Sequence, residues 1–154
     1  MFSDKDIYFM KQALREAEKA YERNEVPIGA VIVFEDKIIG KGYNQTLSLK
    51  DPTAHAEMIA ITSAANYLQD YRLEGCKIYV TLEPCPMCAG ALVNARISQL
   101  FFSVFDPKAG ACGTLFNITH NKALNHQIKT FSGLLENESK SLLQAFFAGL
   151  RKLN

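Results

Sequence analysis

The apolar run Lys77-Ile78-Tyr79-Val80-Thr81-Leu82 leads almost directly into Pro84-Cys85-Pro86-Met87-Cys88, and a second apolar run spans Gln99 to Val104. Nothing else in the chain constrains the fold as strongly. Pro86 suits the first turn of a helix, where its missing N–H goes unused, and that helix is expected to end near Ala95. A strand, a helix and a strand at this spacing require parallel pairing, because parallel neighbours need a crossover whereas a hairpin does not. The chain is therefore built around a sheet whose strands feed helices, and a Pro-Cys motif sits where one strand hands over.

The remaining elements follow from periodicity. Ile7, Met10, Leu14, Ala17 and Tyr21 recur at helical spacing after Ser3 or Asp4 as N-cap. Ile28 to Phe34 is apolar and β-branched, and Glu35-Asp36-Lys37 turns it back into Ile38 to Tyr43 as a hairpin. Asn44 to Pro52 reads as a polar loop, after which Thr53 is expected to cap a second helix reaching Asn66 or Leu68. A small-residue loop, Asp106 to Gly113, precedes weakly patterned sequence and a last strand expected near Gln127 to Phe131. Leu142, Leu143, Phe146, Phe147 and Leu150 place an apolar face on a C-terminal helix; both phenylalanines could pack in the core or stack on a base, and core is the reading preferred. The expected fold is α/β: a three-layer α/β/α sandwich with a mixed sheet of about five strands and helices on both faces. No linker, repeat or low-complexity tract interrupts residues 1–154, which read as one domain.

Composition excludes several classes. A chain of 154 residues buries roughly 70% of its unfolded surface and needs no disulfide staple. No run of ~18 apolar residues could span a bilayer, and Met1 to Asp6 has no secretory pattern. Cys76 and Cys112 are scattered singly, which argues against a disulfide framework and for a reducing cytoplasm. Net charge is only +1. Between Arg96 and Leu135, however, Arg96, Lys108, Lys122 and Lys129 face the single acid Asp106, with His120 and His126 nearby. That bias is compatible with touching a few phosphates and equally with a solvated surface.

The chemistry lies in His55-Ala56-Glu57 and Cys85-Pro86-Met87-Cys88. Cys85 and Cys88 stand three apart, so in a first helical turn both sulfurs lie on one side. His55 falls in the first turn of another helix. Two helix N-termini then converge, presenting free N–H groups and partial positive charge that favour thiolates. Residues i and i+2 point about 200° apart around a helix, so His55 and Glu57 can share a site only if the helix meets it end-on. A Cys-x-x-Cys alone also suits a redox pair or half of a structural zinc site, and a lone histidine is commonly a cap. Together they form a set of three ligands plus a free carboxylate. A zinc held by three protein ligands keeps its fourth position for water, the mark of a catalytic site. Glu57 suits a proton shuttle.

These motifs, with Glu25-Val26-Pro27-Ile28-Gly29-Ala30-Val31, Gly42-Tyr43-Asn44, Asp51-Pro52-Thr53-Ala54 and Leu124-Asn125-His126, resemble the bacterial tRNA-specific adenosine deaminases over nearly the whole chain. The resemblance implies a cytidine deaminase-like fold and zinc-dependent hydrolysis of adenosine to inosine at the wobble position of a tRNA anticodon, releasing ammonia. It implies one Zn²⁺ per subunit on His55, Cys85 and Cys88, Glu57 as the catalytic proton shuttle, and Asn44 reading the base edge. It also implies Asp106 on a ribose hydroxyl, Lys108 on a phosphate, and a homodimer acting on the anticodon arm with no membrane involvement. From the residues alone, Asn44 and Asp106 equally read as turn residues and Lys108 as a solvated cation. A free-base deaminase of the same superfamily, acting on guanine or cytosine, or a non-catalytic zinc-stabilised RNA-binding module, would share part of this pattern. The family's last helix often carries several arginines after its paired phenylalanines. Here Ala148-Gly149-Leu150 intervene before Arg151 and Lys152.

Overall fold

A computed structural model describes residues 1–153, with side chains described through Leu150; the side chains of Arg151 and Lys152 lie outside the described residues. Ser3 caps the first helix, α1 (Asp4–Glu22), through a reciprocal capping box with Asp6, which shields two otherwise unpaired N–H groups. Strands β1 (Gly29–Phe34) and β2 (Lys37–Tyr43) form the expected hairpin. Glu35 and Asp36 both take positive φ, as a two-residue turn between twisted strands requires.

Helix α2 (Ala56–Leu68) begins later than expected, with His55 rather than Thr53 as its N-cap. Thr53 is held instead by Asp51, whose Oδ1 accepts both its N–H (2.8 Å) and its hydroxyl (2.7 Å). Then come β3 (Lys77–Leu82), α3 (Pro86–Asn94), β4 (Gln99–Val104), β5 (Lys129–Ser132) and α4 (Glu136–Leu153). β5 starts two residues after the expected position, because the Gln127 side chain donates to the Asn121 and Leu124 carbonyls and holds that residue in the preceding loop.

The sheet order is β2-β1-β3-β4-β5, with β1 antiparallel to both neighbours and β3, β4 and β5 mutually parallel. Alternate side chains serve two cores. Ala30, Ile32, Ile78, Val80, Leu100 and Phe102 pack under α2 and α3, while Val31, Val33, Tyr79 and Phe101 pack under α1. Burial on both faces is why these strands read as continuous apolar runs. Phe2, Tyr79, Phe101 and Phe131 join in aromatic contacts on the α1 side. The three-layer sandwich is as expected.

Two features of the fold set the site. Helix α2 lies unusually close to β2: a Cβ on Gly42 would fall 2.2 Å from the Ala56 carbonyl oxygen, and one on Gly40 would fall 2.5 Å from that of Ala60. Absent side chains on the strand and alanines 56, 60 and 64 on the helix permit that approach. Strand directions do the rest. Leu82 pairs with Val104, and Gly29 pairs with Tyr43 beside the end of β3. The ends of β2, β3 and β4 therefore open on one rim of the sheet, facing the N-terminus of α2.

Candidate metal centre and cleft

Cys85 follows β3 by three residues and is the N-cap of α3; Cys88 lies in that helix's first turn and is fully buried. His55 caps α2. Its Nδ1 lies 3.5 Å from each sulfur, and the three ligand atoms fall within 4.8 Å of one another. A tetrahedral centre with bonds of roughly 2.3 Å to sulfur and roughly 2.0 Å to nitrogen sets nitrogen and sulfur about 3.5 Å apart. The residues fit a zinc ion in both donor type and spacing. His55 and Cys85 are only partly buried, so the group is open on one side. Cys112 stays out of it. Its N–H is held by Glu83 and its thiol nears the Pro84 carbonyl, in agreement with a loop-packing role.

The electrostatics suit a cation. The Cys88 thiol beside Cys85 is the largest influence on that residue; against burial, and helped by His55, it brings the Cys85 thiol down to about 4. The same contact, with burial, drives the Cys88 thiol upward. Contact with Cys85 raises His55. Glu57, in the first turn of α2 and 4% exposed, is pushed up to about 7, chiefly by burial, with the negative Cys85 adding to the rise.

The metal-holding group opens into a cleft of ≈ 840 Å³ lined by Asn44, His55, Phe105, Asp106 and Lys108. All three residues singled out for substrate contact thus share one cavity with the metal ligand His55. Asn44 ends β2 and is buried. Its amide donates to the Val26 carbonyl and accepts the Thr46 N–H, both at 3.4 Å. Asp106 follows β4, and its Oδ1 accepts the N–H groups of Lys108 (2.9 Å) and Ala109 (3.3 Å), so it also shapes its own turn. Of the basic residues between Arg96 and Leu135, only Lys108 lines this cleft. Arg96 donates to the Asn125 carbonyl and Lys129 lies over the Phe131 ring.

Sequence reasoning misplaced one contributor and missed two. Helix α4 forms the far wall with Lys140 and Phe147. Phe146 is buried against Tyr21, but Phe147 is 45% exposed into the cleft, so its assignment to the core is corrected: adjacent helical residues point about 100° apart and cannot share one burial face. Glu25 is buried and accepts the N–H groups of Leu47 (3.0 Å) and Ser48 (2.8 Å), tying down the loop after Asn44. Glu83 is buried and holds the loop after β4. The available signal was a carboxylate within two residues of a loop-bearing proline, Glu25 two residues before Pro27 and Glu83 directly before Pro84.

Residues 3–104 match the cytidine and deoxycytidylate deaminase zinc-binding region. The chain is 49% identical over 147 residues to the tRNA-specific adenosine deaminase of Bacillus subtilis, covering 96% of this chain and 91% of that one. A solved structure from studies of A-to-I editing by tRNA:A34 deaminases at the wobble position of transfer RNA superposes with a TM-score of 0.85 at 45% identity, covering 88% of this chain and 99% of that one. The guanine deaminase of Bacillus subtilis superposes with a TM-score of 0.63 at 38% identity, over 70% of this chain and 69% of that one.

Proposed function

From its membership of the cytidine and deoxycytidylate deaminase zinc-binding family, and its likeness within that family to the tRNA-specific adenosine deaminases, we propose that this chain deaminates adenosine to inosine at the wobble position of a tRNA anticodon. The chain is a zinc-dependent hydrolytic enzyme. In the reaction an oxygen from water replaces the exocyclic amine on C6 of adenine: a C–O bond forms, the C–N bond breaks, and ammonia leaves. Zinc, when bound, supplies a Lewis acid that activates water at neutral pH.

The chain's own residues do the rest in this reading. His55, Cys85 and Cys88 hold the metal. Glu57, buried beside them, takes the proton from the attacking water and delivers it toward the ring nitrogen and leaving amine. Positioned acid–base groups of this kind contribute ~10²–10⁴ in rate. Asn44 offers both a donor and an acceptor to the flipped base. Asp106 and Lys108 grip the neighbouring ribose and phosphate, and the enzyme works as a homodimer in the cytoplasm on the anticodon arm. Among the described residues, no helix is long and apolar enough to cross a membrane.

One observation carries the reading: His55 of the metal-holding triad, Asn44 and the Asp106–Lys108 loop line a single cleft whose far wall is the last helix. The test is inosine formation in an anticodon stem-loop, assayed beside free guanine and free cytosine, with zinc measured on the same sample. Turnover of the stem-loop alone is expected. Turnover of a free base with none of the RNA would reject the assignment.

A further inference from the structure

Glu83 stands between the last residue of β3 and the metal-holding cap Cys85, yet its carboxylate points into the loop that follows β4. Oε1 accepts the Asp106 N–H (3.0 Å) and the Thr114 hydroxyl; Oε2 accepts the N–H groups of Cys112 (3.0 Å) and Thr114 (3.2 Å). Four donors from one loop thus converge on a side chain that is 2% exposed. Neighbouring backbone bonds run the same way: Ala111 N–H donates to the Pro84 carbonyl and Glu83 N–H to that of Val104. The loop is moulded on this carboxylate. A Cβ on Gly110 would lie 2.3 Å from Oε1 and 2.6 Å from the Asp106 carbonyl oxygen, so only glycine lets the chain close there.

The first of those donors is the backbone of Asp106, and the same loop presents Phe105 and Lys108 to the cleft. Resting on the functional reading above, we infer that Glu83 is a positioning residue: it locks the substrate-facing wall, residues 105–114, to the strand that delivers Cys85, so that RNA grip and metal site keep one register. The carboxylate touches neither substrate nor metal. Its chemistry is acceptor-only, which is what four donors require. An amide would fail in either orientation. With nitrogen on the Oε1 side it faces the Asp106 N–H, and on the Oε2 side it faces two N–H groups.

The experiment compares wild type, Glu83→Gln and Thr114→Val. For each, kcat and KM are measured on an anticodon stem-loop, with stem-loop Kd by fluorescence anisotropy, zinc per subunit, and amide exchange across residues 105–114. Loss of hydrogen bonds to a charged group predicts that Glu83→Gln raises KM and Kd about tenfold or more, with kcat within roughly threefold, zinc content unchanged, and faster exchange at Asp106, Cys112 and Thr114. Thr114→Val, which removes one of the four contacts, should raise KM roughly threefold in the same direction. If Glu83→Gln does not fold, the threonine variant decides alone, and an unchanged KM there overturns the inference. It is equally overturned if folded Glu83→Gln keeps wild-type KM and Kd, or if its affinity and zinc content fall together, which would make Glu83 a support of the metal site. Wild-type protein that neither binds nor turns over the stem-loop would overturn the functional reading itself, and the inference with it.

Discussion

His55 and Cys85 are the N-cap residues of α2 and α3, and their side chains meet 3.5 Å apart in the gap between the helix ends instead of capping either helix. Side-chain caps typically contribute about 1 kcal/mol each, and both helices forgo one. The free N–H groups of the two first turns are left facing the thiolate-bearing gap, where their partial positive charge favours anionic sulfur. An interaction stronger than two caps, a metal ion, accounts for the arrangement.

Removing that ion should therefore loosen the junction of the two helices. Treatment with a strong chelator, or Cys85→Ser, is expected to lower the melting temperature by on the order of 10 °C and to abolish deamination. Calorimetry with parallel metal analysis checks this. An unchanged melting temperature in fully zinc-free protein would contradict the site.

In the proposed reading Glu57 moves protons without holding the metal. Glu57→Ala is expected to retain about one zinc per subunit and stem-loop binding while losing roughly 10²–10⁴ in kcat. A near-normal rate would remove its role as shuttle and revive the non-catalytic reading.

For Asn44, the expected loss lies in recognition. If Asn44 reads the base edge as proposed, Asn44→Ala removes a donor and an acceptor, so kcat/KM should fall about 10- to 100-fold with zinc content intact. Falling zinc occupancy would instead make Asn44 a structural support of the rim, through its bonds to Val26 and Thr46.

Gly42→Ala tests how the sheet places α2. The new methyl group meets the Ala56 carbonyl oxygen at 2.2 Å, so helix or strand must shift, at a cost of about 1–3 kcal/mol or more. Because Ala56 directly follows His55, zinc content should fall along with the melting temperature. A destabilised variant with full zinc occupancy would show that the metal ligands adapt independently of helix position.

Acid should release the loop that follows Asn44. Burial would raise the Glu25 carboxyl, but the N–H groups of Ser48 and Leu47 outweigh it and hold it below its usual 4.5. A group depressed in the folded state contributes stability above its unfolded value and loses it as pH falls through the folded one. The melting-temperature gap between wild type and Glu25→Gln should thus be full at neutral pH and close as pH drops below about 4.5. A gap of constant size from pH 7 to about 3 would refute the linkage.

Much of this was legible one-dimensionally. The sheet strands announced themselves as doubly buried apolar runs, and Pro86 marked the start of α3. Cys85 and Cys88, three apart after a strand, defined two of the three metal ligands. The end-on geometry of His55 and Glu57 followed from helical pitch alone. What went astray turned on competition between near neighbours. Thr53 is a good cap by type but Asp51 captured its hydroxyl and N–H, so the helix began at His55. Phe146 and Phe147 are alike in chemistry, and only the position of Tyr21 and the cleft decided which one is buried.

Periodicity, capping residues and ligand spacing act over a few bonds, so the chain alone determined its strands, the starts of α1 and α3, and the type of metal it can hold. Which rim of the sheet gathers Asn44, Cys85 and Asp106 was decided by strand order and direction. So was the fact that Glu25 and Glu83 reach across to fasten loops 22 and 23 or more residues away. Such partners are chosen by burial: a carboxylate taken out of water must find donors wherever the packed fold brings them, and that is a property of three dimensions.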